Sequence, residues 1–461
     1  MKKEKNKRYD GGITLIALVV TVVVLLILAG VSLNLVIGNE GILTRSKEAV
    51  DKYGKQAENE QQGLNDVETW LGEQFGGSTG SGEDKGVIKV PVNTKATKNG
   101  TIDGKEANIN NPIIPEGYTP INAGSATWGD GSSAPTQSSI DNGLVIKDDN
   151  NNEWVWVPVE EISKYCESVD SGVAISGSTV TTKKYTKSSI EIGTEKDKTT
   201  ITRGLPSSDS YREPALLGTT YDSDANAKKV GFTDANDMAT KMVREYETMI
   251  KSIEKYGGFY IGRYELSGTV DNPTEKTGAT ITNTEWHELY NACKKVGANS
   301  DGSDKEGIAT RMIWGCQWDA TCDFISKKGE QKSITNSRAW GNYSDSTDPA
   351  NTGNYEYNKK KDTGSNEKWK ANNIYDIAGN CCEWTQEANG TGSRAHRGGY
   401  CNNSGSDDPA SYRDNSDPTY SGSDNIRFSS HFNNYYWNLE RGNQWKEVQD
   451  LNFAIIVAPL H

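Results

Sequence analysis

The stretch NIYDIAGNCCEWT, Asn373 to Thr385, sets two carboxylates, Asp376 and Glu383, seven positions apart with Gly379 between them. Glycine there gives the chain a turn, and hard oxygen ligands arranged around a turn suit Ca²⁺. The plainer alternative is that both carboxylates hydrogen-bond backbone in a loop-rich core. The chain around this stretch has a matching texture. From about Pro112 onward, short apolar-aromatic runs alternate with Gly, Asn, Asp and Ser loops. GLVIKDDNNNEWVWVPVEEI (143–162) holds two strand-like runs around an Asp/Asn turn, which reads as a hairpin. FTDANDMATKMVREYETMIKSIEKY (232–256) has helical spacing, with Asp234 or Asp237 as its N-cap. GGFYIGRYELSG (257–268) reads as a strand. NTEWHELYNACKKVG (283–297) reads as a second helix beginning at Asn283 or Thr284. RMIWGCQWDATCDFISKKG (311–329) reads as a third, with Trp314 and Trp318 packing on one side. From Ser337 on, loops and short strands dominate. No repeat of fixed period occurs and the order of elements is mixed, so the fold class is α+β.

Composition narrows the function. The chain has 461 residues, more than one average domain. Mean hydropathy is -0.72, yet 12 Trp and 21 Tyr are retained, unlike the aromatic-poor profile of disorder. A net charge of -13 argues against nucleic acid, which selects basic patches. Cys166, Cys293, Cys316, Cys322, Cys381, Cys382 and Cys401 form no regular framework, and their spacings fit no zinc signature. They read as small buried apolar side chains rather than disulfides.

The N-terminus decides where the protein lives. Residues 13–37 are apolar and uncharged, long enough to span a bilayer as a helix of about 20 residues. Lys2, Lys3, Lys5, Lys7 and Arg8 precede this run, outweighing Glu4 and Asp10. The leader is therefore expected to stay cytoplasmic and the bulk to be exported. A signal peptide fits poorly, since the run exceeds an ordinary h-region and lacks a small-x-small cleavage site. Behind it, Ile42, Leu43, Ala49, Val50, Tyr53, Ala57, Leu64, Val67, Trp70 and Leu71 continue as one stripe of an amphipathic helix. GGSTGSGEDKG (76–86) ends that helix as a flexible linker. The expected organisation is a leader (1–12), a long membrane-spanning and amphipathic helix (13–75), a Gly/Ser-rich linker (76–111) and a folded domain (112–461).

Gly11-Gly12 followed at once by ITLIALVVTVVVLLILAG resembles the N-terminus of type IV prepilins. The resemblance implies cleavage between Gly12 and Ile13 by a prepilin peptidase, N-methylation of Ile13, and a pilin-like stalk that meets the membrane and other pilin subunits. The fifth mature position is usually Glu in that family and is Ala17 here. That leaves filament body, filament tip and simple anchorage all open.

In the large domain, GGFYIGRYE (257–265), NIYDIAGNCCEWT (373–385) and HRGGYCNNSG…PASYR (396–413) occur in order with EWVWVPV (153–159) and MIWGCQWDA (312–320). Together they resemble the formylglycine-generating-enzyme-like (sulfatase-modifying factor) domain, over roughly residues 112–430. The resemblance implies a loop-rich fold of C-type-lectin type. It also implies a Ca²⁺ site using the Asp376 side chain (Asn is usual), the carbonyls of Gly379 and Cys381, and the Glu383 carboxylate. Active members use two Cys about five residues apart after the Arg-x-Gly-Gly motif. Here Arg397-Gly398-Gly399 is followed by Cys401 alone, with no Cys from Asn402 to Tyr412. Cys401 is the catalytic candidate if the protein is an oxidase, and the missing partner favours a non-catalytic domain.

Residues 402–438 are rich in Asn, Ser, Asp, Gly and Tyr and end in HFNNYYWN (431–438). Rigid aromatics among small adaptable polar residues are what recognition loops use; an ordinary polar surface loop has the same composition. The texture also resembles the variable region of lectin-fold proteins diversified by retroelements. Tyr400, Asn402, Asn403, Ser404, Ser406, Asp407, Tyr420, Ser423 and Asp424 are then the expected ligand-binding set. The closing strand is either Asn425–Phe428 or Leu451–Val457. The combined reading is a single-pass, cell-surface or pilus-associated binding protein whose ligand is a protein or glycan. The alternatives are an anchored oxidase acting on exported Cys peptides, and a minor pilin with a purely structural domain. Mass spectrometry of the mature chain is expected to find an N-methylated Ile13 terminus. An intact leader, or a cut beyond Ala29, contradicts prepilin processing.

Overall fold

The alternating run around Trp154 and Trp156 forms the hairpin its pattern implies, and that hairpin lies in the larger of two sheets. The structure is a computed structural model. It describes residues 88–421 apart from 167–173, 177–178, 182–188, 203–210, 214–222, 348–358 and 390–391, and also 428–429 and 432–436. The chain divides between Asp84 and Lys85, and everything described belongs to the second unit. The leader, the stalk 13–75 and the first part of the linker lie outside the described residues. Among the described residues no helix is long and apolar enough to cross a membrane.

The two main sheets use β1 (Thr119–Ile121), β2 (Val145–Lys147), β3 (Glu153–Pro158), β4 (Tyr211–Arg212), β5 (Gly258–Gly262), β6 (Ile308–Met312), β7 (Cys382–Asn389), β8 (Ser393–Arg397), β9 (Arg413–Ser416), β10 (Phe428–Ser429) and β11 (Phe432–Tyr436). The large sheet runs β6-β11-β5-β3-β2-β1, antiparallel throughout. Trp156 lies opposite Tyr260 in it and Trp154 opposite Gly262. The second sheet runs β4-β7-β8-β9, with β10 added parallel to β7. The architecture is mixed α and β.

The helices follow their local signals. The first of the three longest, α1 (Ala235–Tyr256), buries Met238, Met242, Tyr246, Met249 and Ile253, a run of three- and four-residue steps. Its N-cap is Asp234, whose carboxylate accepts the Asp237 amide at 2.8 Å. It ends at Gly257, whose φ of +79° needs a residue without Cβ. The second, α2 (Trp286–Lys295), starts later than expected, because Glu285 and Glu288 form a reciprocal capping box at its first turn. The third, α3 (Gly315–Lys327), packs against both β3 and β7 and is buried on all sides from Gly315 to Ser326.

Two sequence expectations change. Residues 88–111, expected as the latter part of the linker, belong to the domain. Val90, Ala96 and Ile102 enter its core, and Ile88–Lys89 pairs in parallel with Gly100–Thr101. FNNYY, expected in a recognition loop, is β11, hydrogen-bonded between β5 and β6 near one end of the large sheet. Aromatic residues favour a pleated surface, and pairing on both sides outweighs the two turn-forming Asn. Of the two closing-strand candidates, Phe428 is in β10, whereas 425–427 and 451–457 lie outside the described residues.

Buried charge ties α3 to the second sheet. Arg397, fully buried, meets Asp319 of α3 at 2.5 Å and Glu387 of β7 at 3.6 Å. Arg413 of β9 meets the other oxygen of Glu387 at 3.0 Å. Removing one partner of such a pair strands the remaining charge in the core. Arg397→Met is therefore expected to cost about 3–5 kcal/mol in denaturant unfolding, and Asp234→Ala only about 1 kcal/mol. Equal costs would contradict a stabilising role for the buried ion pairs of Arg397.

Candidate cation loop and adjoining loop surface

The loop entering β7 turns sharply and often. Asn372, Asn373, Asp376, Gly379 and Asn380 all have φ between +49° and +76°, a region Asn and Asp tolerate better than other side chains. Each turn is held by side-chain bonds. Asn373 donates its amide to the carbonyls of Ala123, Asn142 and Gly143 at 2.8–3.1 Å. Gly379 is obligatory, since a Cβ there would lie 2.4 Å from the Asn342 carbonyl oxygen. Asn380 braces three segments. Its carbonyl oxygen accepts from the Asn342 amide and the Lys361 N–H, both at 2.9 Å, while its NH₂ donates to Glu265 at 2.5 Å and Lys361 at 3.2 Å.

This loop gathers carboxylates in the interior. Asp376 Oδ2 accepts from the Thr363 hydroxyl and the Gly364 amide, each at 2.8 Å. Asp376 Oδ1 is buried without a hydrogen-bond partner. Glu383 is fully buried beneath Gly398, where a Cβ would lie 2.6 Å from its Oε2. Glu265, following β5, is also fully buried and accepts the Cys381 amide at 3.1 Å and the Thr280 hydroxyl at 2.8 Å. Burial pushes Asp376 up to about 7. Burial, then the Asp376 charge, pushes Glu265 well above the carboxylate range. Burial, then Glu265 and Asp376, does the same to Glu383. Buried carboxylates whose proton affinity is raised in this way make a site where a divalent cation would be stabilised.

The expected ligands Asp376, Gly379, Cys381 and Glu383 thus lie in one turn of chain. Among the described residues no three or more His, Cys, Asp or Glu side chains converge as a metal cluster. The expected set would not form one, because two of its four ligands are backbone carbonyls. The orphaned Oδ1 of Asp376 and the Gly398 cradle over Glu383 fit a hard cation held by oxygen.

The expected ligand-binding residues divide into three groups. Tyr400, Asn402, Asn403, Ser404, Ser406 and Asp407 share the loop between β8 and β9. Tyr420 lies beyond β9, where its amide donates to the Asp417 carbonyl at 2.9 Å. Ser423 and Asp424 lie outside the described residues. The loop is well braced. Asn403 accepts the Tyr400 amide at 2.8 Å through its side chain, and its carbonyl receives Ser344. Asp345 receives the Ser404 hydroxyl and the Gly405 amide, each at 2.8 Å. Ser406, Asp407 and Tyr420 are exposed, while Tyr400, Asn402, Asn403 and Ser404 are half-buried. Two backbone bonds join this loop to the carboxylate loop: Gly379 N–H to the Gly398 carbonyl at 2.8 Å, and Cys401 N–H to the Asn380 carbonyl at 3.1 Å.

Cys401 is 2% exposed. Its neighbour Cys382 lies among Glu383, Asp408 and Asp414, and burial pushes the Cys382 thiol well up. His396 sits edge-on to Trp384, and burial pushes it down to about 4, so it carries no charge at neutral pH. All seven cysteines are buried.

Glu265, Asn380, Thr363 and Asp345 were not singled out in the sequence. Glu265 carried a readable signal, a carboxylate closing the apolar run FYIGRYE. Asp345 carried none, lying in a polar stretch where any Asp looks alike. Comparison of the chain with protein-family models, with curated proteins and with solved structures finds no match.

A ligand bound only by the folded state stabilises it by about 2.7 kcal/mol at 100 times its Kd. Saturating Ca²⁺ is expected to raise the unfolding midpoint over that in chelator, and Glu383→Gln to erase the difference. Identical midpoints in Ca²⁺ and chelator would contradict a cation site here.

Proposed function

We propose that the protein is a surface-displayed binding protein. In this reading a type IV pilin-like helix, processed by a prepilin peptidase at Gly12-Ile13, anchors the chain in the membrane or joins it to pilin subunits. A formylglycine-generating-enzyme-like domain of lectin type then holds Ca²⁺ through Asp376, Gly379, Cys381 and Glu383 and presents a non-catalytic face to a protein or glycan ligand. The observation that carries the reading is the loop from Tyr400 to Asp407. It is braced at its base by Asp345 and Ser344 while Ser406 and Asp407 face solvent, and Tyr420, beyond β9, is exposed too. Loops fixed by a rigid scaffold are where binding residues concentrate. Rigid tyrosines supply contact area at low entropic cost. Diversification of this loop by a retroelement is part of the proposal.

The burial of Cys401, together with the lack of a second Cys between Asn402 and Tyr412, favours binding over oxidation. Its replacement separates the two. Cys401→Ala is expected to leave adhesion of cells displaying the full chain unchanged. Conversion of a Cys-containing peptide by the protein, lost in Cys401→Ala, would overturn the binding reading. In the same adhesion assay Asp407→Lys with Tyr420→Ala, both at exposed positions, is expected to reduce attachment at least tenfold without moving the thermal midpoint. Unchanged attachment, together with piliation lost on deleting 112–461, would instead support a minor pilin with an assembly role.

A further inference from the structure

Glu265 lies outside the segment that carries the proposed cation ligands, yet it holds that segment by two hydrogen bonds. It follows β5 of the large sheet, and the ligand loop leads into β7 of the second. Its two oxygens are taken up by the loop and one neighbour. Oε1 accepts the Cys381 amide at 3.1 Å, and Oε2 accepts the Asn380 NH₂ at 2.5 Å and the Thr280 hydroxyl at 2.8 Å. The peptide joining Asn380 to Cys381 sits between the two carbonyls proposed as ligands, those of Gly379 and Cys381. Holding that peptide, together with the Asn380 side chain, limits the φ and ψ rotations through which the two flanking carbonyls can turn.

We infer that Glu265 is a positioning residue for cation binding, holding the Asn380–Cys381 peptide so that the Gly379 and Cys381 carbonyls are aimed at the ion. The inference rests on the calcium reading of the loop. Glu265 contacts no ion itself in this role. Its oxygens already serve three donors, and it acts through the backbone they belong to. Asn380 cannot adapt to a changed partner by flipping its amide, because its carbonyl oxygen is held by the Lys361 and Asn342 donors. A glutamine at 265 could keep the bond to the Cys381 amide. Its NH₂ would then face the NH₂ of Asn380, donor against donor, and the grip on the loop would be lost. Partners that orient metal ligands typically set affinity by 10- to 100-fold.

The test is calcium titration of the full chain in detergent by isothermal calorimetry, well below the thermal midpoint of each variant. Glu265→Gln is expected to weaken Ca²⁺ binding 10- to 100-fold. Thr280→Val, which removes a donor to Glu265 but leaves its hold on the loop, is expected to stay within threefold of the parent. Glu383→Gln is expected to abolish binding. If Glu265→Gln does not fold, Glu265→Asp, which keeps the charge and shortens the reach, is read on the same scale. Parent-like affinity in the Glu265 variant overturns the inference and leaves the calcium reading standing. An equal loss in Thr280→Val overturns it too, since the effect would then be general loosening of the pocket. No heat of binding in the parent chain overturns the calcium reading itself.

Discussion

Like charges buried together are the constraint on which this domain turns. Burial pushes up the proton affinity of Glu265, Asp376 and Glu383, the Asp376 charge adds to it at Glu265, and the charges of Glu265 and Asp376 add to it at Glu383. Burying a carboxylate is costly unless something compensates it. A few residues along the chain the same problem has a different solution. Asp319 and Glu387 are equally buried, but Arg397 reaches both and Arg413 reaches Glu387 from the other side. In one cluster guanidinium groups supply the positive charge. In the other, hydrogen-bond donors from Thr363, Gly364, Thr280, Asn380 and Cys381 do part of that work. The proposed calcium ion would do the rest.

The position of the carboxylates explains the shape of the domain around them. Glu265 extends from the large sheet, Glu383 begins the second, and Asp376 lies in the turns that precede it. Gly398, at the end of β8, covers Glu383 and receives the Gly379 amide through its carbonyl. The chain then passes directly into the loop from Tyr400 to Asp407. The proposed ligand surface is thus one backbone hydrogen bond away from the carboxylate loop, at Cys401 N–H to the Asn380 carbonyl. A surface built this way can vary its exposed side chains, such as Ser406 and Asp407, without disturbing the bonds that hold it.

What could be read from the sequence was what local chemistry determines. The helix at 235–256 was legible because its apolar steps, the cap at Asp234 and the glycine at 257 all act within one element. The hairpin about Trp154 was legible for the same reason. Asp376 and Glu383 stood out because a glycine turn separates two carboxylates in a short motif. Glu265 closes a readable run, but its role is hidden because its partner Cys381 is 116 residues away. FNNYY gave no strand signal, since its two asparagines look like loop residues until β5 and β6 pair with them from either side. Residues 88–111 looked like a continuing linker because only a few isolated side chains, Val90, Ala96 and Ile102, are apolar anchors. Long-range pairing, not propensity, places all three.

The most direct test is an anomalous-scattering map from crystals of the protein grown with Ca²⁺ or with Tb³⁺ in its place. The account predicts one strong peak in the loop from Asp376 to Glu383. Both carboxylates and the carbonyls of Gly379 and Cys381 should lie about 2.3–2.6 Å from a calcium ion there. A map with no peak in this loop, and with the oxygens of Asp376 and Glu383 satisfied by protein donors or water alone, would contradict it.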